Sequence, residues 1–311
     1  MSSGDPCVGD SDCSESCDEV GDACFTLLQA GAVPDGLRVP GIPLALAHSS
    51  VAGDLDLLWG ASCVQTDDDY AVYEGVLGDF TSHVPVGIPD CTTGGATTTT
   101  ITPSAGDRYY LVVPQLLSEG IEGSYGFASD GTPRTPSLSA CGLQVVCECP
   151  TKTVFVTSAT NDGDLGGLAG GDANCQNLAD AAGLGGTYKA WLSDSATAVK
   201  DRFAQSTVPY VRTDGLVIAD DWADLTDNPD TDPLLVPIDR DENSNAVASS
   251  IVWTGSTFAG NPQSTNQCSD WGDGTNASSG RVGRTNQVDR GWTSIATQTC
   301  EKLRRLYCFE Q

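Results

Sequence analysis

The residues best suited to chemistry are the acids of DDWADLTDNPDTDPLLVPIDRDENSN (220–245). Asp239, Asp241 and Asn243 recur at i, i+2 and i+4, a spacing that turns successive oxygens toward one ion in a tight loop, and calcium takes such hard oxygens. An EF-hand is excluded, because Ser244 replaces the glycine at position 6 of that frame and Ser250 the glutamate at position 12. Asn161, Asp162 and Asp164 form a second short cluster in a glycine-rich loop. Both segments also read as solvated acidic loops that keep the chain soluble.

Catalytic constellations are hard to assemble. The chain has two histidines, His48 and His83, and no G-x-S-x-G segment to supply an activated serine. Paired carboxylates could hydrolyse glycosides, but acids are so abundant that their presence singles out no pair. The sequence therefore reads as non-catalytic. Asn276-Ala277-Ser278 matches an N-glycosylation sequon and marks a polar surface loop.

Lys and Arg total 15 against 42 Asp and Glu, a net charge of −27. Nucleic acid and anionic membrane surfaces are thereby excluded as partners, since the field would be repulsive. No segment has the roughly 18 consecutive apolar residues of a membrane span. Thirteen cysteines indicate an oxidising compartment, and the odd count leaves one thiol free or joined to another molecule. The start, MSSGDPC, lacks the basic and apolar regions of a signal peptide and is expected to be a mature form with an added Met.

Four segments follow from these patterns. Residues 1–24 form an acidic, Cys-rich arm, in which Cys7, Cys13, Cys17 and Cys24 lie among acids too polar to bury a core. Their spacing does not fit zinc, whereas Asp10, Asp12, Asp18, Glu19 and Asp22 are calcium-type ligands. Residues 25–140 read as all-β: LDLLWG, YAVYEG, TTTTIT and RYYLVVP alternate with period 2 between turn clusters, as in a β-sandwich. Cys63 and Cys91 are expected to bridge within it, leaving Cys141, Cys147 and Cys149 for one another, the arm or another chain. Residues 141–151 are a Cys-rich linker. From 152 to 311 a strand at VFVT leads through a glycine-rich loop into an amphipathic helix at 171–183, with Ala173, Gln176, Leu178, Ala179 and Ala182 as its packed face. Strands at YKAWLS, PYVRTDGLVIA and SSIVWTG follow.

Two resemblances add to this reading. Residues 35–140, through Trp59, Y-x-V-Y-E-G, Y-Y-L-V-V-P and E-G-S-Y-G, resemble a bacterial fibronectin type III-like module. Residues 152–311 resemble the bacterial lectin-like branch of the endostatin superfamily, through G-D-A-N-C-Q (171–176), Y-K-A-W-L-S (188–193), V-W-T-G (252–255), C-S-D-W (268–271) and L-Y-C-F-E (306–310). The two together imply a multidomain chain, an all-β fibronectin III-like sandwich followed by an α+β C-type-lectin-like domain. The endostatin resemblance implies the pairs Cys175–Cys308 and Cys268–Cys300. It implies no zinc site here, because endostatin's zinc ligands are histidines and this domain has none. Endostatin also binds heparin through arginines. Arg281, Arg284, Arg290, Arg304 and Arg305 could form a basic patch, but the domain is net negative and Arg304 and Arg305 are expected to neutralise nearby acids. The calcium motifs of sugar-binding C-type lectins are echoed only loosely, by Asn261-Pro262-Gln263 and Trp271-Gly272-Asp273-Gly274.

The expected protein is secreted or surface-displayed, stabilised by disulfides, with calcium as its candidate cofactor, and does not span a membrane. Its lectin-like domain would recognise a glycan or extracellular protein, with Trp222, Trp271, Asp270 and Asp273 on the contact loops. The other reading is a self-assembling subunit of an extracellular filament or surface layer, held by the odd cysteine and calcium.

Overall fold

A computed structural model describes residues 29–86, 91–263 and 267–311, together with the main chain of two short strands, β1 (Ser16–Cys17) and β2 (Cys24–Phe25), which pair with each other. The remaining N-terminal arm, with its calcium-type acids, lies outside the described residues. The chain divides into two compact units between Pro150 and Thr151.

In the first unit β3 (Ala45–His48), β4 (Leu55–Leu58) and β7 (Thr98–Ile101) form an antiparallel sheet in the order β3-β4-β7. A second sheet, β10-β9-β8-β5-β6, comprises β5 (Asp69–Val76), β6 (Val84–Pro85), β8 (Arg108–Leu116), β9 (Ile121–Glu122) and β10 (Leu143–Gln144). The alternation of β5 sends its side chains to opposite faces. Tyr70 and Val72 join Leu57, Trp59, Ile101 and Val112 in a core shared by both sheets. Ala71 and Tyr73 join Val113 and Tyr125 in a second core on the other face. There the fully buried Glu122 accepts hydrogen bonds from the hydroxyls of Tyr73 and Tyr125 (2.6 Å) and from Gln115 Nε2 (3.2 Å), which offsets its desolvation. Burial, then the bonds to Glu122, push both tyrosine hydroxyls far above their usual range.

The cysteine expectation for this unit is overturned. Cys63 bonds Cys149, and Cys91 bonds Cys141, not each other. Both bridges fasten the chain's C-terminal return to the sandwich, a constraint that sequence proximity does not reveal. Cys147 is disulfide-bonded as well. With every described cysteine engaged, the odd thiol lies outside the residues whose side chains are described.

The second unit is built on an eight-stranded mixed sheet. Its strands are β11 (Lys152–Val156), β12 (Tyr188–Ala190), β13 (Tyr210–Arg212), β14 (Val217–Ala219), β15 (Ile251–Trp253), β16 (Ser279–Arg284), β17 (Ala296–Thr299) and β18 (Arg305–Glu310). The central β18 pairs with β11, β12 and β15, so the last residues of the chain organise the sheet. The helix α1 (Gly167–Ala182) starts four residues before the position expected, because the glycine pair 166–167 supplies a left-handed entry (φ 78° at each). Its buried face is Gly171, Cys175 and Ala179, at i, i+4 spacing; Ala173 is exposed. A Cβ on Gly171 would lie 2.6 Å from Leu192 Cδ1, so any larger residue there would make the Leu192 side chain shift. Two short helices, α2 (Val199–Arg202) and α3 (Trp222–Thr226), complete the unit.

Cys175 bonds Cys308, tying α1 to β18 across 133 residues, and Cys268 bonds Cys300 across 32. By chain entropy the longer bridge contributes about 5 kcal/mol. Replacing both Cys175 and Cys308 by Ser should cost about 4–5 kcal/mol, read as a lowered denaturation midpoint in guanidinium. An unchanged midpoint would mean the cross-link restrains nothing.

Candidate functional site

The acid-rich segment begins where β14 ends. Trp222 is 9% exposed and stacks in the main core against Trp191 (5.9 Å between ring centroids) and Phe203 (6.2 Å), so it anchors α3. Asp221 caps that helix by accepting the Asp224 N–H (2.9 Å), and Asp224 accepts the Asp220 N–H (2.7 Å). After the helix the Asn228 carbonyl accepts the Thr231 N–H (2.9 Å) and the Asp232 N–H (3.0 Å), returning the chain upon itself. This turn brings carboxylate oxygens of Asp224, Asp227 and Asp232 within 4.8 Å of one another. Three anionic oxygens at that separation match the donor type and spacing that calcium takes. Asp227 and Asp232 are exposed, so the cluster faces solvent.

The charges press on one another. Burial and then the neighbouring carboxylates Asp224, Asp221 and Asp232 raise the Asp220 pKa above the ordinary carboxylate range. Burial followed by Asp232 and Asp221 raises Asp224, although the Asp220 N–H opposes this. Burial, Asp232 and Asp224 raise Asp227.

The triad singled out by spacing is used otherwise. Asp239 accepts from Arg212 (2.5 Å) and Arg240 (2.9 Å), and Asp214 completes a quartet with the same two arginines (2.7 and 3.0 Å). Burial opposes ionisation of Asp214, but its hydrogen bond with Arg212 and the two positive charges outweigh it, so its pKa falls. Asp241 folds a local turn, accepting the N–H groups of Asn243 and Asn245 (both 2.9 Å) and Asn245 Nδ2 (3.2 Å). Asn243 is exposed. In the glycine-rich loop Asp162 accepts the Asp164 N–H (3.0 Å), and Asp164 bridges to Gly272.

The aromatic contacts expected from the sequence are corrected. Trp222 and Trp271 are both buried core residues, so neither presents a ring to a ligand. Trp271 packs against Trp253 (6.0 Å), and its Nε1–H donates to the Ser193 carbonyl (2.9 Å). It ends a left-handed turn in which Cys268, Ser269, Asp270 and Trp271 all have φ between 51° and 63°. Left-handed backbone costs roughly 1–2 kcal/mol for each non-glycine residue. Around the turn stand the Cys268–Cys300 bridge, the buried Trp271, and Asp270, which accepts the Ser195 N–H (2.7 Å) and hydroxyl (2.8 Å). Asp273 accepts from the Ser278 hydroxyl (2.5 Å) and the Thr275 N–H (2.8 Å), which hold its carboxyl below the usual range. Asp270 and Asp273 are thus braces of this loop.

Four of the five arginines are engaged, three by neutral oxygens and one by an acid. Arg281 bonds Ser294 (2.8 Å), Arg290 pairs with Asp230, and Arg304 bonds Gln298 (2.5 Å). Arg305 binds the Thr157 and Ser158 carbonyls, so Arg304 and Arg305 serve oxygens of loops and an amide and not the acids expected. The aspartates that do converge, at positions 224, 227 and 232, belong to the acid-rich stretch but to no short-period motif. The signal that could have found them is Trp222 one helical turn from an Asn-Pro-Asp turn.

A carboxylate whose folded pKa is raised favours folding below its unfolded pKa and loses that contribution as pH rises through the folded value. The three raised aspartates should therefore destabilise the second unit at neutral pH. An Asp227→Asn/Asp232→Asn variant should melt above the wild type at pH 7 in chelator, the difference shrinking as pH falls through the raised folded values toward the ordinary carboxylate range. Equal melting at every pH would show that the carboxylates do not repel. Trp271→Phe should cost about 1–3 kcal/mol, because the Ser193 carbonyl then loses a buried donor; thermal unfolding measures it.

Among the described residues no helix is long and apolar enough to cross a membrane. No curated protein matches the chain. Residues 154–311, nearly the whole second unit and just over half of the chain, match the family described as Collagenase NC10 and Endostatin. The ordered cysteines, the sheet centred on the final strand and this match identify the chain as a member of the endostatin family.

Proposed function

We propose that this is a non-catalytic, secreted or surface-displayed binding protein whose endostatin-family unit, on a C-type-lectin-like scaffold of the bacterial lectin-like branch, recognises a glycan or an extracellular protein. The observation that carries the reading is the 220–232 loop, rooted by the buried Trp222 and presenting converging aspartates to solvent. Such an arrangement separates a rigid root from a variable contact surface, the usual division of labour between scaffold and loop. Calcium at Asp224, Asp227 and Asp232 would relieve their mutual repulsion and supply a cationic centre for sugar hydroxyls or ligand carboxylates. The first unit serves as a fibronectin III-like spacer. Support for an extracellular setting comes from the disulfides. Support for binding over catalysis comes from the histidines: His48 and His83 both lie in the first unit, and His83 is buried between Tyr109 (2.9 Å) and the Thr135 carbonyl (3.1 Å).

The full chain should bind a subset of glycans on an array in calcium and lose them in chelator, while sizing as a monomer in both. Silence across neutral and acidic glycans would remove the lectin reading. Calcium-dependent growth to filaments or disulfide ladders would replace it with the assembly reading.

A further inference from the structure

The main-chain groups of β8 alternate between its two edges. Asp68 N–H donates to the Gln115 carbonyl and Leu77 N–H to the Asp107 carbonyl on the β5 side, whereas Gly123 N–H donates to the Pro114 carbonyl on the β9 side. Even-numbered residues therefore turn their N–H and C=O groups away from β5. On that side β9 pairs only with Gln115 and Leu116. The chain then leaves the sheet, Ser124 N–H bonding the Gly31 carbonyl instead. Among the described residues, no strand covers the edge of β8 at Tyr110 and Val112.

That edge borders a cleft of about 190 Å³. Val33, Pro34, Val39, Phe127 and Arg134 are among the residues that line it. The first unit carries 21 acids and three arginines, yet Arg134 makes no ion pair among the described residues and lies over the Phe80 ring (5.6 Å). Arg108, by contrast, is paired with Glu74. Asp35 also lines the cleft, but its carboxylate already accepts the N–H groups of Leu37, Arg38 and Val39 (2.9, 2.7 and 3.0 Å). A ladder edge without a pairing strand among the described residues, an apolar lining and a guanidinium without an ion pair together match one kind of occupant.

We propose that the free edge of β8 receives an extended peptide segment of a partner protein as an added strand, with an apolar side chain in the cleft and a neighbouring carboxylate on Arg134. The ladder groups of Tyr110 and Val112 supply sequence-independent hydrogen bonds. The cleft and Arg134 select for alternating apolar and acidic residues. Among the described residues the edge has no pairing strand because β9 is only two residues long before the chain turns off to Gly31.

The test uses the full chain, isotope-labelled, and the blocked peptide Ac-Val-Glu-Val-Thr-Val-NH2 at millimolar concentration. The Tyr110 amide should exchange readily with solvent in the free protein, and the Tyr110 and Val112 amides should both shift and become protected on titration. A peptide N-methylated at alternate residues should not bind. Arg134→Gln, or Lys in place of the peptide's Glu, should weaken binding about tenfold. The proposal is overturned if both amides are already protected in the free protein, if the peptide moves neither resonance, or if the N-methylated peptide binds as well as its parent.

Discussion

Trp191 is the contact on which the second unit depends. Its ring touches Trp292 (4.9 Å), Phe309 (5.2 Å), Phe203 (5.6 Å) and Trp222 (5.9 Å), and its Nε1–H donates to Thr293 Oγ1 (2.8 Å). Those partners come from the central strand, the segment after α2, the root of the acidic loop and the turn before β17. Aromatic pairs of this kind are worth about 0.5–1.5 kcal/mol each beyond the area they bury. A single side chain thus fixes where the acidic loop leaves the core, and the loop's carboxylates can face solvent because its tryptophan does not.

The disulfides act on what the aromatic core leaves loose. Cys175–Cys308 joins the helix to the central strand, and Cys268–Cys300 braces the left-handed turn next to Trp271. In the first unit the same role falls to bridges that clamp the C-terminal return against the sandwich, while Glu122 and its two tyrosines settle the polar demand of the second core. Most described acids of that unit lie outside these cores, apart from a few engaged ones such as Asp69, which accepts from Thr92, Thr93 and Gly95.

Much of the architecture was legible because short, strongly patterned strands announce themselves: β4, β5, β7 and β8 fall where alternation placed them, and β11 falls at the VFVT strand. The pairing of Cys63 was not, since covalent partners are chosen by tertiary reach and Cys149 is 86 residues away. Spacing alone put Asp239, Asp241 and Asn243 on one ion, but Arg212 lies 27 positions from Asp239 and neutralises it. Trp222 and Trp271 looked like contact residues because they sit in loops, and only packing reveals that both loops are pinned by burying them. Asp224, Asp227 and Asp232 were in the right stretch yet follow no short period, since a helix cap and an Asn-Pro turn bring them together.

That the 220–232 loop holds a cation on these three aspartates is tested most directly by terbium luminescence of the intact protein. Trp222 lies two residues from Asp224 and can act as the sensitiser. Excitation of tryptophan should produce terbium emission that calcium competes away and that Asp227→Asn/Asp232→Asn abolishes. Absence of sensitised emission, or emission that survives the double substitution, would contradict the assignment.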